Sequence, residues 1–286
     1  MDEVTVGILG CGRSAVFGHL PALRELGGLF RVAAVCDVEK PRRDRVESQF
    51  PGVRHYRRAE DMLDDAELEL VYIGTPSVDH ERIALEALRR KLWTVCETPV
   101  SLTHEGASIL RGASVKAGRR LLAAATEMFS PEFRLAAIAR DRRRLGDVYD
   151  VRIHSGTYHR RDDWQALKRC GGGAAFYAAQ GPVLQALALM KAPPVQLWSE
   201  FKKLVSVGDA EDYVRMMLKN ADGMTVEVET NSAVVPYGDP AFVIRGTRGT
   251  FTAMTGEFSG RFRFVDPAQR FPRKRSGVAT PPLEIC

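Results

Sequence analysis

The first part of the chain repeats one pattern: a short apolar run, a turn, and then apolar residues at helical spacing. The apolar runs lie at 4–9, 30–36, 68–73, 92–96 and 121–125, and helical patterns lie at 15–26, 41–49, 59–64, 80–91 and 104–117. Strands that are buried on both faces are continuous apolar runs, and regular alternation with helices builds parallel sheets with right-handed crossovers. The pattern predicts an α/β fold, a doubly wound parallel sheet with helices on both faces.

Past residue 126 the pattern changes to strands that follow one another. A helix is predicted over 131–143, a strand over 148–158, and an apolar helical segment over 174–190 that Gly181-Pro182 should start or kink. Further strands are predicted near 196–204, 211–219, 224–233, 241–246, 249–254 and 260–265. Consecutive alternating strands form antiparallel sheets with one covered face. We therefore predict two domains, 1–125 and 126–286, the second an α+β domain with a large, mainly antiparallel open sheet and a loose C-terminal tail.

Composition excludes several classes of protein. The 286 residues are 45% hydrophobic and 27% charged, as in globular proteins. No apolar run approaches the roughly 20 residues that cross a bilayer, so no membrane partner is expected. The start, MDEVTV, lacks a signal-peptide pattern, which favours a cytoplasmic location. The net charge of +5 is modest and the basic runs at 141–144 and 273–275 are short, so nucleic acid is not expected as a partner.

The five cysteines are scattered and form no CxxC or CxxH pair. This usage fits a reducing compartment and argues against structural zinc. No cluster of His, Asp and Glu has the spacing of metal ligands along the chain, so we expect no metal site.

A glycine turn, Gly10-Cys11-Gly12, lies between the first apolar run and the first helical pattern. A strand that turns directly into a helix leaves unpaired N–H groups at the helix start, where the helix dipole also favours an anion. Gly10 permits the tight turn, Gly12 allows a pyrophosphate to approach the backbone, and Ala15 is small enough for close helix–strand packing. A glycine turn is also a common structural feature, so this segment alone does not establish a nucleotide site.

Asp37, directly after the second apolar run, stands where dinucleotide-binding folds carry the acidic residue that binds the adenosine ribose. Its charge disfavours a 2′-phosphate and so favours NAD, although Lys40, Arg42 or Arg43 could hold that phosphate and leave NADP open. Two further turns, 74–76 and 97–99, also follow apolar runs. Ligands of parallel sheets bind at the carboxyl ends of the strands, so these four segments should meet in one crevice.

In these segments the chain resembles the Gfo/Idh/MocA oxidoreductases, the family of glucose–fructose oxidoreductase and inositol dehydrogenase. The matching motifs are GILGCG at 7–12, Asp37, TPSVDH at 75–80, ETP at 97–99, DDW at 162–164 with GGG at 171–173, and IRGTRGTF at 244–251. The resemblance implies a Rossmann domain followed by a substrate-binding domain whose open sheet mediates homo-oligomers. It also implies NAD(P)-linked hydride transfer on a small-molecule substrate such as a sugar, a polyol or a similar carbonyl compound.

Cofactor residues can be carried over from the family motifs. The resemblance implies that the glycine turn and the residues after it bind the pyrophosphate and that Asp37 binds the adenosine ribose. It also implies that the TPSVDH segment lies along the cofactor and that the glutamate of ETP lies near the nicotinamide ribose. The residues are Gly10, Gly12, Arg13, Ser14, Asp37, Thr75, Pro76, His80 and Glu97.

The catalytic motifs depart from the family. The lysine of the family's E-K-P motif is Thr98 here. After GGG the family has D-x-G-x-H-x-x-D, and its histidine acts with the lysine in proton transfer; without a gap those four places hold Tyr177, Ala179, Gly181 and Leu184. If an insertion is allowed, Val183 takes the place of the histidine.

A carbonyl reduction needs a proton as well as hydride, so the missing pair leaves three routes open. Tyr177 could donate the proton, or His154 or His159 could project into the site. Otherwise solvent or the substrate supplies the proton, as is plausible for biliverdin reductases, relatives that also have a non-lysine E-x-P. The catalytic candidates are Tyr177, His159 and Thr98. The alternatives are a catalytically silent dinucleotide-binding sensor or partner subunit, or a biliverdin-reductase-like reductase.

Overall fold

The structure is a computed structural model that describes residues 3–118, 120–235, 239–265 and 283–285. The chain divides into two compact units. The N-terminal unit contains residues 1–125 and 169–172, and the C-terminal unit contains residues 126–168 and 173–286.

The N-terminal unit is a six-stranded parallel sheet in the order β3-β2-β1-β4-β5-β6. The strands are β1 Val4–Leu9, β2 Phe30–Cys36, β3 Arg54–Tyr56, β4 Leu70–Ile73, β5 Trp93–Cys96 and β6 Leu121–Ala123. A π-helix, Ala15–His19, leads into α1 Leu20–Glu25, and the other helices are α2 Lys40–Glu47, α3 Ala59–Leu63, α4 Ser77–Arg89 and α5 His104–Lys116. The strand order reverses between β1 and β4, which is where such sheets open a ligand crevice.

The N-terminal sheet is buried on both faces, as its apolar runs predicted. Five of the six residues of β1 and five of the seven of β2 are buried. The predicted strands and helices are present, while β3 was not predicted because Arg54, His55 and Tyr56 form no apolar run. The first helix also differs from its prediction, since it begins as a π-helix instead of an α-helix.

The C-terminal unit is an eight-stranded sheet in the order β14-β13-β12-β11-β7-β10-β9-β8. Its neighbouring strands are antiparallel except for β7 and β10, which run parallel. The helices are α6 Pro131–Arg140, α7 Ala174–Tyr177 and α8 Gln180–Met190. The strands are β7 Val148–Gly156, β8 Pro194–Lys202, β9 Tyr213–Asn220, β10 Thr225–Asn231, β11 Phe242–Gly246, β12 Gly249–Ala253, β13 Gly260–Val265 and β14 Leu283–Ile285. This architecture confirms the predicted α/β fold with a mainly antiparallel second sheet.

One face of this sheet packs against α6 and α8. Alternate residues of β7 and β10, such as Val151 and Val228, join Phe133 and Leu189 from the helices in one core. The opposite face carries ion pairs instead, for example Arg215 Nη2 to Glu227 Oε1 at 2.6 Å. The sheet is therefore covered on one side and open on the other.

The predicted break at Gly181-Pro182 is present, because α7 ends at Tyr177 and α8 begins at Gln180. Pro182 thus lies in the first turn of α8, where a missing N–H costs no hydrogen bond. The helix predicted over 131–143 ends at Arg140. Most of the predicted C-terminal tail lies outside the described residues, but Leu283–Ile285 pairs with β13 and is a strand, which corrects that part of the prediction. Of the helices described, none is long and apolar enough to span a membrane.

Candidate functional site

The glycine turn follows β1 and is closed by contacts with both neighbouring strands. Gly10 has a φ of +86°, and a Cβ there would lie 2.5 Å from the carbonyl oxygen of Gly74, so only glycine fits. Its N–H donates to Cys36 O at 2.8 Å. A Cβ at Gly12 would meet nothing within 4 Å. The space beside Gly12 is therefore open for a ligand to approach the backbone.

Asp37, at the end of β2, is 8% exposed, and main-chain groups fix its carboxylate. Oδ2 accepts from the N–H of Cys11 at 3.0 Å and Oδ1 from the N–H of Glu39 at 2.9 Å. A carboxylate oxygen can accept more than one hydrogen bond, so both keep capacity for hydroxyl donors. The turn after β1 and the end of β2 are thereby linked through the side chain that was predicted to hold the ribose.

The three cations that kept NADP open already have partners. Lys40 Nζ lies 2.8 Å from Asp44 Oδ2, and Arg42 Nη2 lies 2.9 Å from Glu39 Oε1. Arg43 donates to the main-chain oxygen of Asp37. A 2′-phosphate at this place would have to compete with these contacts and with the charge of Asp37.

Thr75 and His80 follow β4 and have different environments. Thr75 Oγ1 is buried and has no hydrogen-bond partner among the residues that the structure describes. His80 is 1% exposed, and its ring nitrogens lie 2.8 Å from the carbonyl oxygens of Thr75 and Pro99. His80 therefore connects the turns after β4 and β5, whereas the Thr75 hydroxyl has no partner in the described part of the chain. Pro76, between the turn and the helix, is the N-cap of α4.

Glu97, at the end of β5, is the centre of a polar cluster. Its Oε1 accepts from the Ser14 hydroxyl, from Tyr72 OH at 2.9 Å and from His19 Nε2 at 3.0 Å. The His19 ring packs against the Tyr72 ring at a tilt of 39° with 4.1 Å between centroids, and Gly74 leaves room for the phenol. Ser14 and Glu97, both predicted to contact the cofactor, are thus hydrogen-bonded to each other.

Hydrogen bonding decides the ionisation of Glu97. Burial alone would raise the pKa of its carboxyl, but hydrogen bonds from His19, Ser14 and Tyr72 outweigh burial and lower this pKa below its ordinary value. Burial, followed by the charge of Glu97, raises the pKa of Tyr72, which keeps the phenol a donor. Sequence reasoning missed His19 and Tyr72, because the first lies in an apparent amphipathic helix and the second inside an apolar strand.

The catalytic candidates lie in both units. Thr98 is half-buried in the N-terminal unit, between Glu97 and the cis-linked Pro99. In the C-terminal unit, Tyr177 and His159 both contact Ser232: the Tyr177 hydroxyl lies 3.3 Å from Ser232 Oγ, and the His159 N–H donates to Ser232 O at 2.9 Å. Arg161 covers the Tyr177 ring, with 4.4 Å from its guanidinium carbon to the centroid.

His154, the other histidine considered, has its Nε2 3.7 Å from Glu229 Oε1. Away from these segments, Asp44, Glu47 and His55 lie close together, with 3.1 Å between His55 Nε2 and Glu47 Oε2. Sequence spacing did not reveal this group, because the fold of α2 and β3 brings His55 to the other two. Its Asp44 is the residue already paired with Lys40.

Two family models match the chain. Residues 4–125 match a model described as an oxidoreductase family with an NAD-binding Rossmann fold. Residues 133–252 match the C-terminal domain of the GFO/IDH/MocA family. The two matches follow one another in the order that the sequence motifs predicted, and they confirm the expected NAD-binding domain.

Individual proteins are similar at lower identity. An uncharacterised oxidoreductase of Schizosaccharomyces pombe is 26% identical over 260 residues, which is 88% of this chain and 71% of the relative. Inositol 2-dehydrogenase 2 of Saccharopolyspora erythraea is 29% identical over 119 residues, which is 42% of this chain and 35% of that enzyme. The crystal structure of an NAD-binding protein from Listeria innocua superposes with a TM-score of 0.86 over 99% of this chain and 81% of that one. Because the two sequences are 18% identical, this similarity shows a common fold alone.

Proposed function

Because this chain belongs to the Gfo/Idh/MocA oxidoreductase family, we propose that it transfers hydride between NAD and a sugar, a polyol or a similar small carbonyl compound. The observation that carries the proposal is the edge of the N-terminal sheet. There an open glycine turn, a fixed carboxylate and an unpartnered buried hydroxyl follow three neighbouring strands, at Gly10–Gly12, Asp37 and Thr75.

Each group of this edge matches a part of a dinucleotide. Gly10 and Gly12, with Arg13 and Ser14, would hold the pyrophosphate at the start of the first helix. Asp37 would accept the adenosine ribose hydroxyls, and its engaged neighbours favour NAD over NADP. The bound cofactor supplies or accepts the hydride, which no side chain can do.

The remaining cofactor residues would act through the turns that they hold. His80 and Pro76 shape the turn that presents Thr75, since His80 bonds the Thr75 carbonyl directly. Glu97 would fix the end of β5 beside the first helix through Ser14 and His19. Thr98, Tyr177 and His159 remain the proposed candidates for the catalytic residues.

Calorimetry with NAD+, NADH and NADP+ tests the binding step. We expect NAD+ to bind more tightly than NADP+, and a protein that binds none of them would refute the proposal. Turnover is then tested by NADH formation with myo-inositol, scyllo-inositol and glucose, the first two chosen because an inositol dehydrogenase is among the relatives. We refer to these three compounds as the polyol panel.

A catalytically silent dinucleotide-binding subunit is the second candidate function. It is favoured by Thr98 and Gly181, which stand at the places of the family's lysine and histidine. Tight NAD+ binding without turnover on the polyol panel would support it, and turnover that depends on Tyr177 or His159 would exclude it.

We also propose that the chain forms homo-oligomers through the open face of the C-terminal sheet. Trp198 of β8 lies on this face beside Met217 and is 52% exposed. Along the same row, Met217 pairs with Glu227 and Glu227 with Arg152. An exposed tryptophan at the end of a charged row is typical of a surface that a second copy covers.

A further inference from the structure

Gly181 has no side chain, and Glu127 fills the space where one would lie. A Cβ built on Gly181 would be 2.5 Å from Cγ, 2.7 Å from Cδ and 2.8 Å from Cβ of Glu127. These distances are far below van der Waals contact, and they involve the root of the Glu127 side chain as well as its end. A side chain at position 181 and the side chain of Glu127 therefore exclude each other.

The backbone of Glu127 is hydrogen-bonded to α8, the helix that contains Gly181. Glu127 lies in a short 3-10 turn, Thr126–Phe129, and its carbonyl oxygen accepts from Gln185 Nε2 of α8 at 2.7 Å. Gln185 is only 5% exposed, so this bond is protected from water. The side chain of Glu127 itself is exposed. Its carboxylate is thus held beside the first turn of α8 and can exchange protons with solvent.

Position 181 is the place of the missing imidazole when the glycine triplet is aligned without a gap. We propose that Glu127 is the general base of this protein and that its carboxylate replaces this imidazole. The inference rests on the proposed function. During oxidation of an alcohol, the O–H proton passes to the Glu127 carboxylate, while the carbon-bound hydrogen leaves with two electrons as hydride to NAD+, and a carbonyl forms. In the reverse direction the protonated carboxyl returns the proton.

Tyr177 and His159 are the competing groups in the same unit. The Tyr177 phenol is held by Ser232 and covered by Arg161, and the main chain of His159 is held by Ser232. Neither contact places a titratable group at position 181. Glu127 is the residue whose side chain fills that space.

Turnover of the polyol panel by Glu127→Gln, Glu127→Asp and Tyr177→Phe separates these roles. A general base contributes about 10²–10⁴-fold, so Glu127→Gln should lower kcat by that factor, change KM less and flatten the acidic limb of the pH profile. Glu127→Asp keeps a carboxylate and should retain more activity than Glu127→Gln. Glu257→Gln removes an exposed carboxylate of the same unit and should leave kcat unchanged.

The unfolding temperature provides a second readout that needs no substrate. Gly181→Ala should lower it in the wild-type chain, because the new Cβ must displace Glu127. In a Glu127→Gly background the same change should raise it, because Glu127 Cβ, which lies 2.8 Å from the new Cβ, is then removed as well and alanine is the better helix former.

The outcomes distinguish the inference from the function on which it rests. If wild type turns over a polyol and Glu127→Gln does so equally well, or if only Tyr177→Phe loses activity, Glu127 is not the base. The proposed hydride-transfer function is then still supported. If Gly181→Ala has the same effect in both backgrounds, Glu127 does not fill the space. If wild type binds NAD+ but oxidises no compound of the panel, the proposed function fails and the inference fails with it.

Discussion

Two threonines of the N-terminal unit show how much a single hydroxyl can indicate. Thr75 follows β4 and Thr94 lies in the neighbouring strand β5, but Thr94 Oγ1 donates to Leu92 O at 3.2 Å, whereas Thr75 Oγ1 is buried without a partner among the described residues. A buried polar atom without a hydrogen bond costs stability. Such an atom at a strand end therefore indicates a ligand that completes its bonding.

Replacing Thr75 by valine tests this reading. The substitution removes a hydroxyl that forms no bond within the described protein, so the free energy of unfolding should not fall. NAD+ affinity should fall about 2- to 10-fold, which corresponds to one neutral hydrogen bond. Thr94→Val is the control and should do the opposite, losing stability by about 1 kcal/mol while NAD+ affinity is unchanged. Calorimetry and urea unfolding measure the two effects, and unchanged NAD+ binding by Thr75→Val would contradict the assignment.

Asp37 should determine which dinucleotide is bound. Asp37→Asn keeps the size of the side chain and removes the charge, so NAD+ affinity should fall about 10-fold or more, as for a hydrogen bond to a charged group. The loss for NADP+ should be smaller, because repulsion of the 2′-phosphate disappears as well. Asp222→Asn, at an exposed aspartate in the turn between β9 and β10, is the matched control. Equal losses for both dinucleotides would show that Asp37 does not contact the ribose.

At the scale of elements, Glu97 connects the π-helix, β4 and β5 through His19 and Tyr72. The π-helix accommodates an extra residue in one turn, because the N–H of Leu20 donates to the carbonyl oxygen of Ala15, five residues earlier. Such turns are frequent at functional sites. Here the π-helix ends at His19, whose ring reaches the carboxylate at the end of β5. This edge of the N-terminal sheet is therefore held together by side chains from three elements as well as by the hydrogen bonds of the sheet.

This connection should depend on pH. Because the folded-state pKa of Glu97 lies below its ordinary value of 4.5, its contribution to stability is complete above that pH and is lost as the pH falls through the folded-state value. Wild type should therefore lose more unfolding free energy than Glu97→Gln between neutral pH and pH 3. Glu105→Gln, an exposed carboxylate of α5, should follow the wild-type curve. Parallel curves for wild type and Glu97→Gln would mean that the cluster does not stabilise the ionised carboxylate.

At the scale of the whole molecule, the open face of the C-terminal sheet is a surface to which the hydride-transfer proposal assigns no role. Its charges are paired across strands, as Arg215 is with Glu227 and Arg245 with Asp150, so they can be covered without leaving isolated charges. The edge strand β8 adds the exposed side chain of Trp198 to this face. These features fit a face that is shared between copies.

Trp198→Arg should dissociate such an assembly. A buried tryptophan often supplies 2 kcal/mol or more at an interface, roughly a 30-fold change in the dissociation constant, and an arginine adds an unpaired charge. Light scattering after gel filtration should show the monomer mass of 31.7 kDa for this variant and a multiple of it for wild type. Val115→Arg, on exposed α5, should keep the wild-type mass. A monomeric wild type would refute the proposed oligomer.

The order of strands and helices could be predicted from the sequence because it depends on local periodicity and on chain-order rules. The sequence shows the apolar runs, the glycine at position 10 and the aspartate at position 37. A parallel sheet must then bring the ends of its strands to one edge. The short strand β3 and the start of the first helix escaped prediction, since sheet pairing and a π-turn leave no periodic signal.

Contacts between distant residues were decided by the tertiary structure alone. The proximity of His19 to Glu97, of His55 to Asp44, and of Glu127 to Gly181 joins residues that no spacing rule relates, because each pair meets only after separate elements have packed. The sequence by itself predicts where a dinucleotide would bind and which residues stand at the places of the family's lysine and histidine. Only the packed structure shows that the side chain of Glu127 fills the space beside Gly181, because the neighbours of a glycine are defined by the fold and not by the order of the chain.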